Sequence, residues 1–341
     1  MAFGAALASA GTVSYTCDTT INATPAGTCA YLNSTTAGLY SSTFSNANAS
    51  IYIKMGITGL GSSTVGSYND LSYSTYLSDL TATASADTVD VHALTALNSK
   101  DTAVYGTGIV VITSALGEAL GVPNSSLAGT TASGVSCTIG TGGCYNGIIT
   151  ITTPANLFTD TGQFLYWDQT GGIIGANAYD FYSIVEHETD EILGTSSCIS
   201  TQGLSLTNPC NFLGVGTPSA VDLFRYSATT GTLLPDSSLS TTSGAYFSYN
   251  GGLTNGVPDG AVYNTLANGN DYADFAAYCQ NVQDATGCLG SIQNISGGEI
   301  NILDAVGYNL NSGPETPEPG TMALFGAGFA ALAVYRRRRR A

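Results

Sequence analysis

The chain has 341 residues, enough for one large domain or two modest ones, and 43% of them are apolar, enough for a sizeable core. Only 9% are charged, with 24 acidic residues against eight basic ones and a formal net charge of −16. Five of the basic residues form the arginine run 336–340, so ahead of it Lys54, Lys100 and Arg225 face all the acids; that surface repels nucleic acid and anionic membranes and fits an extracellular protein.

In chain order, residues 1–10 are small and apolar, and Ala8-Ser9-Ala10 has the form of an A-x-A cleavage site. This stretch reads as what remains of a secretory signal shortened at its front. Residues 11–48 form a Ser/Thr-rich segment, ahead of a domain expected over 49–311. Residues 50–55 (SIYIKM) alternate like a strand, and 71–81 predict a helix carrying Leu71, Leu77 and Leu80. Residues 108–112 (GIVVI) read as a buried strand and 114–120 as a short helix stopped by Gly121 and Pro123. Residues 147–153 (GIITITT) read as a strand. His92, in VDVHAL, has no partner motif and reads as structural. Strands are expected at 221–226 and 245–249. Asn270, Asp271 and Asp274 share a glycine turn with a partial calcium-loop pattern, read as a solvated turn. A last helix is expected over 296–307, with Ile300, Leu303 and Val306 inward.

The eight cysteines fall into four close pairs, and short loops make neighbour pairing the economical pattern: Cys17–Cys29, Cys137–Cys144, Cys198–Cys210 and Cys279–Cys288. None has a CxxC metal spacing, so an oxidising compartment is expected.

The chemistry concentrates at residues 180–197, DFYSIVEHETDEILGTSS. Asn177 or Asp180 can cap a helix there, and Gly194 can end it. At about 100° per residue, Phe181, Val185 and Ile192 make an apolar stripe with Ile184 at its edge. His187 and Glu191, four apart, share one side of that stripe. Glu188 falls inside the stripe, while Glu186 and Asp190 are expected to face solvent. A carboxylate on a buried face is costly without a reason. A metal-activated water, with Glu188 as its general base, supplies one. The spacing is that of H-E-x-x-H with Glu191 in place of the second histidine.

The run EHETDEILG resembles the HEIDEVLG signature of a group of bacterial secreted proteins, classed as zinc metalloproteases, that carry a PEP-CTERM tail. Further blocks are similar in the same order: AVDLFRYS at 220–227, AYFSYNGG at 245–252, NDYADF at 270–275 and GEINILDAVGY at 298–308. The resemblance implies a zincin-like, metzincin-related α+β domain with a mixed sheet and an active-site helix. It implies metal bound by His187 and Glu191, Glu188 as base, a peptide or protein substrate, and a sheet edge beside the helix that holds this substrate extended, for which 148–152 is the candidate. The longer pattern H-E-x-x-H-x-x-G-x-x-H maps its glycine onto Gly194 and its third histidine onto Ser197, and no methionine lies between Met55 and Met322 to form a Met-turn. The third ligand is thus open; Asp222 is the best candidate and Ser197 a poorer one. A carboxylate-rich set suits Zn²⁺ and lets Ca²⁺ or Mn²⁺ compete.

After a linker at 312–320, the tail from 317 reads PEPGTMALFGAGFAALAVYRRRRRA. Pro317, Glu318 and Pro319, an apolar stretch at 321–335 and a basic end closely resemble the PEP-CTERM sorting signal. That resemblance implies a single membrane helix at 321–335, recognition and removal of the tail by an exosortase-type enzyme, and delivery to the cell surface or exopolysaccharide matrix of a Gram-negative bacterium. The competing function is non-catalytic: a surface or matrix protein for adhesion or biofilm whose helix is a degenerate peptidase element. An ice-binding relative would show a fixed-period Thr or aromatic array, and none is found.

Overall fold

The computed structural model describes residues 11–22, 27–57, 59–65, 69–99, 108–152, 164–166, 174–198, 217–227, 245–253, 262–264 and 271–311. Its main sheet has the order β1 (Val13–Cys17), β2 (Ala49–Ile57), β9 (Gly147–Thr152), β3 (Ser63–Val65). The first three run parallel and β3 lies antiparallel on the edge, with Ser63 opposite Ile149 and Val65 opposite Gly147. Smaller pairs are β4 (Asn69–Ser72) with β5 (Ile109–Ile112), β6 (Ala128–Thr131) between β7 (Ser136–Thr138) and β8 (Cys144–Tyr145), β10 (Phe164–Tyr166) with β11 (Ala178–Asp180), and β12 (Arg225–Ser227) with β13 (Ala245–Phe247). Helices α1 (Thr19–Asn22), α2 (Thr28–Tyr31), α3 (Ala37–Thr43), α4 (Tyr73–Thr83), α5 (Thr88–Asn98), α6 (Ser114–Ala119), α7 (Phe181–Asp190) and α8 (Gly297–Val306) complete a mixed α+β architecture.

β9 is buried along most of its length, with Ile149 and Ile151 on one face and Ile148 and Thr152 on the other, as expected of a strand inside a covered parallel sheet. This corrects the expectation that 148–152 is a substrate edge: its hydrogen bonds are taken by β2 and β3, and the edge is β3. Ile51, Ile53, Ile149 and Ile151 are fully buried, each contributing roughly 1.5–3 kcal/mol. Gly147 lets α7's continuation close on the sheet, since a Cβ there would lie 2.6 Å from Ile192.

The segment 11–48, expected to stand ahead of the domain, is built into it. β1 joins the main sheet, Tyr15 meets the Thr189 hydroxyl at 2.9 Å, and Tyr40 lies 2.8 Å from Asp190 Oδ1. These tyrosines cover the helix face that was expected to meet solvent, so Glu186 and Asp190 are buried. Two other expectations shift locally. Residues 221–224 form a 3₁₀ turn instead of a strand, because the Asp222 carboxylate gathers the Ser219 and Cys198 N–H groups. The stretch 71–81 begins as strand, and its helix starts at Tyr73 with the Ser72 side chain as cap. In α8, Ile302 packs inward rather than Ile300.

Cys17–Cys29, Cys137–Cys144 and Cys279–Cys288 are bonded as expected. Cys198 is also disulfide-bonded; Cys210, its expected partner, lies outside the described residues. Among the described residues no helix is long and apolar enough to cross a membrane; the stretch 321–335 and Pro317, Glu318 and Pro319 lie outside them.

Candidate metal centre

Helix α7 follows β11 directly, and its first residues are set by a cap. The Asp180 carboxylate accepts the Ser183 N–H at 2.8 Å and the Ser183 hydroxyl at 2.7 Å. Helical winding continues past Asp190 through 191–195 and stops where Gly194 takes φ 130°, a conformation open to glycine. One turn separates His187 from Glu191, so both project toward the same cleft, of about 500 Å³.

His187 Nδ1 lies 2.9 Å from the Val282 carbonyl oxygen. A carbonyl can only accept, so Nδ1 carries a hydrogen and Nε2 is left to face the cleft, the arrangement by which metal-ligating imidazoles are held. Nε2 is 3.8 Å from Glu191 Oε1 and 3.8 Å from Asp274 Oδ1. One donor atom from each of the three lies within 4.8 Å of the other two. In a tetrahedral zinc site with bonds of about 2.0–2.1 Å, neighbouring donors sit roughly 3.3 Å apart, so a small contraction fits the set to an ion. Glu191 is further held by the Ser63 hydroxyl on β3, and Asp274 by Gln283 Nε2 at 3.4 Å.

Glu188 lies beside this set and is 5% exposed. The loop ahead of β3 crosses directly above it: a Cβ on Gly61 would lie 2.6 Å from Glu188 Oε1 and from Ile184 Cγ2. Burial, and then the Glu191 carboxylate, hold the Glu188 carboxyl well above the ordinary carboxylate range. Burial does the same for Asp274, with Glu191 adding to it, and for Asp271, with Asp274 adding to it. At His187 burial works in the opposite direction, but Glu191 and Glu188 outweigh it and raise its pKa. Among the described residues the only ion pairs are those of His187; Arg225 acts on Asp271 through space, and no Lys or Arg pairs with Glu188, Glu191 or Asp274. A cation would relieve this repulsion and lower the carboxyl pKa values.

The structure therefore brings together His187, Glu188 and Glu191, and it does not bring Asp222. That side chain accepts from the Ser197 hydroxyl at 2.6 Å, the Cys198 N–H at 2.9 Å, and the Ser219 N–H and hydroxyl, both at 2.9 Å. Asp222 is a turn organiser, and Ser197 is one of its donors. Asp274 stands in the third position instead, although its turn read as solvated. Asp271 is nearby but accepts the Ser197 and Ala273 N–H groups. The signal for Asp274 in the sequence was its block NDYADF, where two acids stand three apart among the apolar residues Tyr272, Ala273 and Phe275. The Cys279–Cys288 disulfide brackets the Val282 carbonyl. His92 stands apart on α5, stacked on Tyr249 at 6.2 Å. Arg225 is buried, donating to the Tyr272 carbonyl at 2.8 Å under Tyr263 at 4.4 Å, which makes it a core strut.

Residues 315–340 match the PEP-CTERM protein-sorting motif. The chain is thus an exported, cell-surface protein processed by an exosortase-type sorting enzyme. No curated protein and no solved structure matches it.

Proposed function

We propose that the cleft is a metal-dependent peptidase site of zincin-like design. The observation that carries this reading is the orientation of His187 by the Val282 carbonyl, which turns Nε2 toward Glu191 and Asp274. His187, Glu191 and Asp274 would hold the ion. Zinc bound there supplies Lewis acidity toward a water and a peptide carbonyl. The nitrogen-poor donor set lets manganese or calcium compete.

The chain's own groups divide the remaining work. Glu188 accepts the proton of the attacking water at its carboxylate and returns it to the leaving amine. Its raised pKa makes that role dependent on a cation beside it, since only the ionised carboxylate is a base. Among the described residues strand β3 is the edge of the main sheet beside the cleft, which Gly61, Ser62 and Ser63 help to line, and an extended peptide can add to it by backbone hydrogen bonds. Ser63 ties that edge to Glu191 and so couples substrate alignment to the donor set.

Hydrolysis of an unfolded polypeptide by the zinc-loaded chain tests this. Glu188→Gln is expected to lower kcat by about 10²-fold or more while zinc content is unchanged. No hydrolysis by any zinc-, manganese- or calcium-loaded sample would favour the non-catalytic surface protein.

A further inference from the structure

Away from the residues of the cleft, three carboxylates from α5 and α8 meet. Asp87 caps α5: its Oδ1 accepts the Asp90 N–H at 3.0 Å and its Oδ2 the Ser85 hydroxyl at 2.6 Å. Asp90 is 1% exposed; its Oδ2 accepts the Ser85 N–H at 2.6 Å, and among the described residues its Oδ1 has no hydrogen-bond partner. Asp304 comes from α8 and is 0% exposed, and among the described residues neither of its carboxylate oxygens has a hydrogen-bond partner. One oxygen from each of the three lies within 4.8 Å of the others.

A carboxylate buried with both oxygens unpartnered is among the costliest arrangements a protein interior can hold. Asp304 is independent of the α5 cap, and it points into the cap's two acids rather than away from them. Either it is neutral, or a cation joins the three. The N-terminal end of α5 contributes only a partial positive charge. Among the described residues no Lys or Arg forms an ion pair with these acids.

We propose that Asp87, Asp90 and Asp304 form a second, structural site for a hard divalent cation, calcium by its chemistry. All donors are carboxylate oxygens, with no imidazole or thiolate to favour zinc. Calcium takes six to eight oxygens at about 2.3–2.6 Å, and an oxygen that already accepts one hydrogen bond keeps a lone pair for the ion. Asp87 is only part-buried, which leaves a side open for water ligands and for entry. The ion would clamp α5 to α8. The residue after α8's capping glycine, Tyr308, donates its hydroxyl to the Leu193 carbonyl at 2.8 Å, so the clamp also steadies the C-terminal end of the α7 segment. Exported modules commonly hold calcium with dissociation constants of about 10⁻⁴–10⁻³ M, matched to the medium outside the cell.

The test uses the full chain carrying Glu191→Gln and Asp274→Asn, which removes the cleft's two carboxylate donors. Calcium binding is measured by equilibrium dialysis at neutral pH, with thermal melts in millimolar calcium and in chelator. The expected result is about one calcium per chain and a melting temperature several degrees higher with calcium. Adding Asp304→Asn is expected to abolish both. Adding Asp87→Asn, which keeps the cap and the fold, is expected to weaken calcium binding about tenfold. Absence of bound calcium at millimolar concentration, or binding unchanged by Asp87→Asn, would overturn the proposal and leave Asp304 a neutral buried acid. The outcome does not depend on whether the cleft is catalytic.

Discussion

The His187 imidazole is held at Nδ1 by the carbonyl oxygen of Val282, 2.9 Å away and 95 residues later in the chain. That contact decides which nitrogen can serve a metal. In zinc-loaded protein, nitrogen NMR is expected to show Nδ1 protonated and Nε2 ligated. In chelator at mildly acidic pH, both nitrogens are expected to be protonated, because Glu191 and Glu188 raise the pKa of His187. Zinc binding then releases protons, so zinc affinity is expected to increase with pH. A zinc-bound Nδ1, or affinity independent of pH, would contradict this arrangement.

Asp274 and Asp222 are expected to fail in different ways. Asp274→Asn removes a donor charge from the centre and is expected to weaken zinc binding by tenfold or more with little loss of stability. Asp222→Ala leaves the Ser197, Cys198 and Ser219 donors without their acceptor. It is expected to cost about 3 kcal/mol of stability or more, at about 1–3 kcal/mol for each buried group left unpaired. Paired denaturant titrations and zinc competition assays on the two variants separate these effects.

Gly61→Ala would drive a methyl group into Glu188 and Ile184. Overpacking of this kind costs about 1–3 kcal/mol and displaces the loop that leads into β3. Peptidase activity is expected to fall more than zinc content. Equal loss of both would mean that the loop supports the metal donors rather than the base and the substrate edge.

The Cys279–Cys288 bond closes the short loop that carries Val282. Loops of this size are stabilised by about 2–3 kcal/mol through restriction of the unfolded chain. A Cys279→Ser, Cys288→Ser double variant is expected to melt earlier and also to bind zinc more weakly, because the Val282 carbonyl loses its fixed position. Unchanged zinc affinity would show that His187 needs no such support.

Burial pushes the Glu186 carboxyl up to about 8, even though its Oε2 accepts the Ile295 N–H at 3.1 Å. A carboxyl whose pKa is higher folded than unfolded binds more protons in the folded state. Its contribution is therefore complete below the unfolded pKa and is lost as pH rises through about 8. In chelator, thermal stability is expected to be higher near pH 5 than near pH 8.5. Each pKa unit is worth at most about 1.4 kcal/mol. Glu186→Gln is expected to flatten that slope. A rise in stability toward alkaline pH would contradict the burial of this group.

Local signals in the sequence located much of this. The alternation at 50–55, the apolar run at 147–153, the Asp180 cap and Gly194 stop each correspond to a structural boundary. The i, i+4 pair His187 and Glu191 follows from helix geometry alone. What one helix cannot report is what covers it. Glu186 and Asp190 read as solvent-facing because Tyr15 and Tyr40, which bury that side, meet the helix across separations of 174 and 150 residues. Asp274 was missed for the same reason, since its approach to His187 depends on a loop folding back over 80 residues. Asp222 was chosen for its acid character, and its backbone partners were invisible until Ser219 and Cys198 were placed.

The central claim is that His187, Glu191 and Asp274 hold one metal ion. Elemental mass spectrometry of the purified chain after zinc loading tests it most directly, with His187→Ala, Asp274→Asn and Asp222→Asn in parallel. About one zinc per chain in the wild type and in Asp222→Asn, with loss in His187→Ala and strong reduction in Asp274→Asn, is the expected pattern. No bound zinc in the wild type, with manganese and calcium also refused by the cleft, would contradict the claim and leave α7 a structural helix of a surface protein.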